Sequence, residues 1–169
     1  MSKLNSIDKI NNLNKSDFLT IFGNIFEKTE WIAEKVYDLK PFKNFNDLRH
    51  KMINQYDNCN HHKIMEILNS HPELAIEKIL TKESKEEQSS AKLNECSDEE
   101  FKEFKMLNLE YKKKFGFPFI IAVSGLNKNQ ILKNFRERIK KNNEQEFKEA
   151  KFQVKNIGNL RLNQILEKY

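Results

Sequence analysis

Apolar residues recur along this chain mostly at helical spacing, and short polar residues stand ahead of most of the runs. Ser97-Asp98-Glu99-Glu100 has the form of a capping box, in which the Ser97 hydroxyl and the Glu100 carboxylate each satisfy a backbone N–H at a helix start. It precedes Phe101, Phe104, Lys105, Leu107, Asn108 and Tyr111, which mark out a helical period. That helix is expected to stop near Gly116, ahead of Pro118. Asn127-x-x-Gln130 and Asn143-x-x-Glu146 are similar openings. The first leads into Ile131, Leu132, Phe135 and Ile139, and the second into Phe147, Ala150, Val154, Ile157, Arg161 and Ile165. Upstream, Ser16 can cap a helix over 18–22, Thr29 one over 31–39 and Asn44 one over 45–56, with Pro41 breaking the chain between the last two. Further helices fit 60–68 and 72–80, the latter with Pro72 at its first position, where the missing N–H costs nothing.

The strongly apolar run Phe119-Ile120-Ile121-Ala122-Val123 lacks a helical period, and no second run of comparable quality is present to pair with it as a strand. It is expected to be an extended segment buried among helices. Its N–H groups then need acceptors, and a bound anion or carbonyl is one source. Continuation as buried helix, or satisfaction by water and side chains, is the alternative. The expected fold is all-α: a single compact helical domain over 1–169 with about seven to nine helices, 1–14 being a loosely ordered N-terminal extension.

Composition adds bounds to this picture. A chain of 169 residues suits one domain and buries roughly 70% of its unfolded surface. Hydrophobic residues make up 38% and charged residues 33%, a globular rather than disordered profile, and thirteen Phe supply core bulk. The net charge of +5 comes from 30 Lys and Arg against 25 Asp and Glu spread along the whole chain. That mixed surface lacks the clustered, Arg-rich face of a nucleic-acid binder, so no nucleic-acid partner is expected. Only Cys59 and Cys96 are present, no cationic-then-apolar leader opens the sequence, and no apolar run approaches the ~20 residues of a membrane span. The expected setting is cytoplasmic, with no membrane partner.

His71 precedes Pro72 at what reads as a helix entrance, where it can project into a cleft and where the positive helix end favours a neutral imidazole. A satisfied surface or capping histidine is the bland counterpart. Ser84-Lys85-Glu86-Glu87-Gln88 concentrates hydroxyl, carboxylate and amide groups. Ser84 and Glu87 also have capping-box spacing, so both side chains can be used up closing a helix start. In the functional version Glu87 faces inward, and Gln88 offers a donor and an acceptor to a planar urea or amide. Cys59, His61, His62 and His50 do not have the paired spacing of a zinc site, so no metal is expected.

Several stretches now fall into an order. They are Phe22-Gly23-Asn24-Ile25-Phe26-Glu27, Trp31-Ile32-Ala33, Pro41-Phe42, His71-Pro72-Glu73-Leu74-Ala75 and Thr81-x-Glu83-Ser84-x-x-Glu87-Gln88-x-x-Ala91-x-Leu93. Tyr111-x-x-x-Phe115-Gly116-Phe117-Pro118-Phe119-Ile120-Ile121-Ala122-Val123-x-Gly125 and Arg161-Leu162 follow them. This ordered set resembles the OHCU decarboxylase family, enzymes that act on 2-oxo-4-hydroxy-4-carboxy-5-ureidoimidazoline. The resemblance implies an all-α fold, a homodimer, no metal or organic cofactor, and a small ureide as substrate. It implies His71 as the catalytic acid, with Glu87 beside it, and places the substrate against Pro72, Ser84, Lys85, Glu86, Gln88 and the backbone of Phe119, Ile120, Ile121, Ala122 and Val123. Lys92 stands where the family commonly has Gly, and Lys40 where it has Arg before Pro41-Phe42.

The implied reaction is loss of carbon dioxide to give (S)-allantoin in urate breakdown. Backbone N–H groups over 119–123 would receive the developing charge. His71 would protonate one face, and Glu87 would orient the hydroxyl or ureido group. Three other readings compete: a helical interaction module without turnover, a paralogue acting on a related ureide, and a basic nucleic-acid binder resting on charge alone.

Overall fold

The computed structural model describes residues 6–75 and 81–169. Among the described residues the regular structure is helical throughout, with no strand. The helices are α1 (Ser6–Asn11), α2 (Lys15–Phe22), α3 (Glu30–Tyr37), α4 (Phe45–Asp57), α5 (His61–Ser70), α6 (Lys82–Ser90), α7 (Asp98–Phe115), α8 (Lys128–Arg138) and α9 (Asn143–Leu166), with a 3-10 turn at Leu93–Glu95. No helix among the described residues is long and apolar enough to cross a membrane.

Several helix starts follow local capping chemistry, whereas Thr29 precedes α3 without a side-chain cap hydrogen bond. Ser97 and Glu100 form the expected box at α7, Asn127 and Gln130 the one at α8, and Asn44 caps α4. Gly116, in the left-handed region at φ 80°, ends α7 where the sequence places its stop. Two starts differ by a residue or two. Asn14 rather than Ser16 caps α2. At α9 the reciprocal pair is Asn142 with Gln145, which leaves Glu146 with a different task. Of the stretch 1–14 expected to be a loose N-terminal extension, residues 1–5 lie outside the described residues; from Ser6 it forms α1, whose Ile7 and Ile10 are buried and whose Asn11 exchanges two hydrogen bonds with the Phe42 backbone.

The chain divides into two compact units, one taking in the chain up to Ile67 together with Lys155–Tyr169, the other Leu68–Val154. In the first, the Phe18 ring packs with those of Phe22, Tyr37 and Phe42, and the Phe26 ring stacks on Tyr56 at 4.6 Å. Arg161 of α9 is buried there, pairing with Glu27 at 2.8 Å and donating to the Asn24 carbonyl at 2.8 Å.

Gly158 makes room for the Phe26 ring: a Cβ at this position would lie 2.4 Å from Phe26 Cε1. Because Phe26 is fully buried, its ring cannot move aside into solvent. Gly158→Ala is therefore expected to destabilise the protein, overpacking of about 1–3 kcal/mol outweighing the ~1 kcal/mol gained in helix propensity. Denaturant titration of the variant and the parent checks the sign.

Candidate active site

The sequence-predicted site residues all lie in the second unit, on three pieces of chain: the segment after α5, helix α6, and the extended stretch between α7 and α8. His71 is buried immediately past the C-terminus of α5, and its N–H donates to the Leu68 carbonyl at 3.2 Å. Residues 72–75 are not helical, and Ala75 has a left-handed φ of 52°. The helix expected to start at Pro72 is thus absent over 72–75; its remainder, 76–80, lies outside the described residues. His71 thus follows the C-terminal end of a helix rather than standing at the N-terminal end of one.

Helix α6 is capped by Thr81, whose hydroxyl accepts from the Ser84 N–H at 3.3 Å. Ser84 is therefore not the cap, and the capping-box explanation of Ser84 and Glu87 does not apply. Both lie within the helix three residues apart, close to one face. Ser84 and Gln88 are buried, Glu87 is half-buried, and Lys85 and Glu86 are exposed, Glu86 standing 4.0 Å from Lys82. The inward face of α6 therefore consists of a hydroxyl and a carboxamide with a carboxylate at its edge.

Gln88 connects this face to the His71 segment. Its Oε1 accepts from the Ala75 N–H at 3.1 Å, and its Nε2 donates to the Glu73 carbonyl at 3.2 Å. Both ends of the amide are engaged with backbone, a role that sequence reasoning did not give to Gln88.

Over 119–123 the chain is extended and buried, as expected, with Ala122 half-buried. Its position is set by a buried polar chain. The Tyr111 hydroxyl donates to Glu146, and Arg138 donates through Nη2 to Glu146 at 2.9 Å and through Nη1 to the Ile120 carbonyl at 2.7 Å. The Arg138 guanidinium also lies 4.4 Å from the centre of the Phe119 ring, which in turn stacks on Phe135 at 3.9 Å. Burial, with the Glu146 carboxylate next in effect, pushes the Tyr111 hydroxyl far above its ordinary range, so it remains a proton-bearing donor. Of the amides in the stretch, that of Ala122 donates to Gln153 Oε1 at 2.9 Å. Among the described residues, the N–H groups of Ile120, Ile121 and Val123 meet no acceptor. Unpaired donors of this kind are suited to receiving an oxyanion.

Sequence reasoning missed Asn108, Arg138, Glu146 and Gln153 as supports of the site. The available signal was a polar or charged residue at a core position of an amphipathic helix, as with Asn108 between Phe104 and Tyr111. Lys92 has a φ of 57°, a left-handed conformation that glycine adopts without strain, which gives a physical reason for the family's preference there.

A family model described as OHCU decarboxylase matches residues 11–163. The 2-oxo-4-hydroxy-4-carboxy-5-ureidoimidazoline decarboxylase of Haloferax volcanii is 32% identical over 157 residues, 93% of this chain and 94% of that protein. The mouse protein of the same name is 32% identical over 162 residues, 94% of this chain and 91% of its own. A uric acid degradation bifunctional protein from Bacillus sp. strain TB-90 is 34% identical over 94% of this chain, which spans only 32% of that longer protein.

Among solved structures, a crystal structure of (S)-allantoin synthase aligns with a TM-score of 0.75 at 24% identity, over 94% of this chain and 53% of that one. One of OHCU decarboxylase in the presence of (S)-allantoin aligns with a TM-score of 0.70 at 23% identity, over 85% and 96%. At these identities the structures establish a shared fold. The match over 11–163, joined to relatives above 30% identity along nearly their whole length, makes this chain a member of the OHCU decarboxylase family.

Proposed function

We propose that this chain decarboxylates 2-oxo-4-hydroxy-4-carboxy-5-ureidoimidazoline to (S)-allantoin without a cofactor, as a cytoplasmic homodimer. The observation that carries the reading is Gln88, whose two hydrogen bonds tie the catalytic face of α6 to the segment that follows His71. Family membership supplies the substrate class.

In the reaction the bond between the ring carbon and the carboxylate breaks, and its electron pair moves into the adjacent unsaturated ring bond. Carbon dioxide leaves, the pair displaced onto the ring nitrogen takes a proton from solvent, a second proton forms the new C–H bond, and the hydroxyl gives one up, so that one proton is taken up overall. The amides of Ile120, Ile121 and Val123 hold the developing negative charge. His71 delivers the proton to one face of the enol-like species, which sets the handedness of the product. Glu87 orients the hydroxyl or ureido group and takes the hydroxyl proton as the carbonyl forms, with Ser84 and Pro72 keeping the ureide in register.

A time course of freshly generated substrate, followed by the circular dichroism of the allantoin formed, tests this. The expected result is decay faster than the spontaneous rate, with the S isomer in excess. Decay no faster than in buffer would leave a helical interaction module as the better account. Light scattering of the purified protein reads the dimer.

A further inference from the structure

A carboxamide occupies a position of α7 that its pattern assigns to an apolar group. The buried stripe of this helix is Phe104, Asn108, Tyr111 and Phe115, and Asn108 is only 3% exposed. Its Nδ2 crosses to another part of the chain and donates to the Leu74 carbonyl at 3.0 Å. Its Oδ1 is buried and has no hydrogen-bond partner among the described residues. A leucine would fill the stripe equally well but would offer no donor to the Leu74 carbonyl, so packing alone does not explain the amide.

The bond to Leu74 completes a pattern. Gln88 donates to the carbonyl of Glu73, Asn108 donates to the carbonyl of Leu74, and Gln88 accepts from the N–H of Ala75. Three consecutive residues are thus each held by a buried side-chain amide. The segment lacks regular structure and contains a non-glycine residue at positive φ, a conformation that persists only where the surroundings over-determine it. It begins two residues after His71 and is joined to it by Pro72, whose ring restricts the backbone between them.

We infer that Asn108 is a positioning residue of the decarboxylase site: through Leu74 it fixes the chain that carries His71, so that the imidazole faces one side of the substrate. The inference rests on the proposed function for what His71 does, and on geometry alone for what Asn108 holds. Catalytic geometry is sensitive at this scale, since a misplacement of about 1 Å can cost on the order of 100-fold in rate.

The experiment compares the parent with Asn108→Leu, which keeps the stripe apolar and removes both amide functions. The expected result is a kcat lowered about 10- to 100-fold with KM changed less than about threefold, as for an interaction that matters at the transition state rather than in substrate binding. The allantoin formed above the spontaneous background should lose its excess of S isomer, because a displaced imidazole no longer selects the face. A variant that loses rate yet keeps the full S excess would show a merely structural role and overturn the inference, as would one with parental kcat.

Amide hydrogen exchange at Ala75, expected to quicken at least about tenfold in the variant, reads the positioning without turnover. Unchanged exchange would also overturn it. If the parent itself fails to act on the substrate, the proposed function falls, while the exchange measurement still decides Asn108. Should Asn108→Leu not fold, Asn108→Asp keeps the shape and the acceptor, removes the N–H donor, and carries the same expectations.

Discussion

His71→Ala protein is expected to decarboxylate at least about 100-fold more slowly than the parent, the lower end of what removing a positioned general acid costs. Its thermal midpoint should move by only a few degrees. The residues that follow His71 are tied by Gln88 and Asn108 through the backbone of 73–75, and these bonds remain in the variant. Glu87→Gln, which keeps the shape and removes the base, should also lose rate while folding normally. Stopped-flow decay of the substrate, paired with a melting curve for each variant, separates chemistry from folding. Parental rates in both variants would refute the assignment of these two residues.

The largest effect on stability is expected at Arg138. Its guanidinium is buried against Glu146, whose side chain is wholly inaccessible to solvent. Arg138→Met leaves that carboxylate buried with only Tyr111 donating to it, and breaking a buried pair from one side costs about 3–5 kcal/mol. For a chain of this size the midpoint should fall by roughly 10 °C. Replacing both members, as Arg138→Met with Glu146→Leu, should recover much of the loss, because no charge then remains unpaired. The test is a double-mutant cycle by denaturant titration. A single substitution costing less than about 1 kcal/mol would mean that the pair is not what holds this region. Arg138→Met should lower activity as well, since Arg138 also holds the Ile120 carbonyl and with it the amides over 119–123.

The parts of the site differ in how far local sequence determines them. The helix starts at Ser97 and Asn127 were legible because a capping box is a contact between residues three apart, complete within one turn. The extended character of 119–123 was legible for a similar reason: its apolar run follows Gly116 and Pro118 and carries no helical period. His71, Ser84, Glu87 and Gln88 were marked by motif order, and the structure places them in one compact unit.

Glu146 shows where local reading fails. Its spacing from Asn143 suits a capping box, yet Gln145 takes that task and Glu146 turns inward to Arg138 and Tyr111. His71-Pro72 shows the same thing at the site itself. The dipeptide reads locally as a helix start, but Ala75 is in the left-handed region, and the bonds that hold it there come from residues 13 and 34 positions from their partners. Side-chain spacing and proline stiffness act over a few bonds, so the chain alone set the starts of α7 and α8, the end of α7 at Gly116 and the break before 119. Whether a buried amide or carboxylate closes a cap, holds a loop or pairs with a guanidinium depends on which distant group arrives beside it. Only packing settles that, because a polar group removed from water must take whatever partner the fold brings within reach.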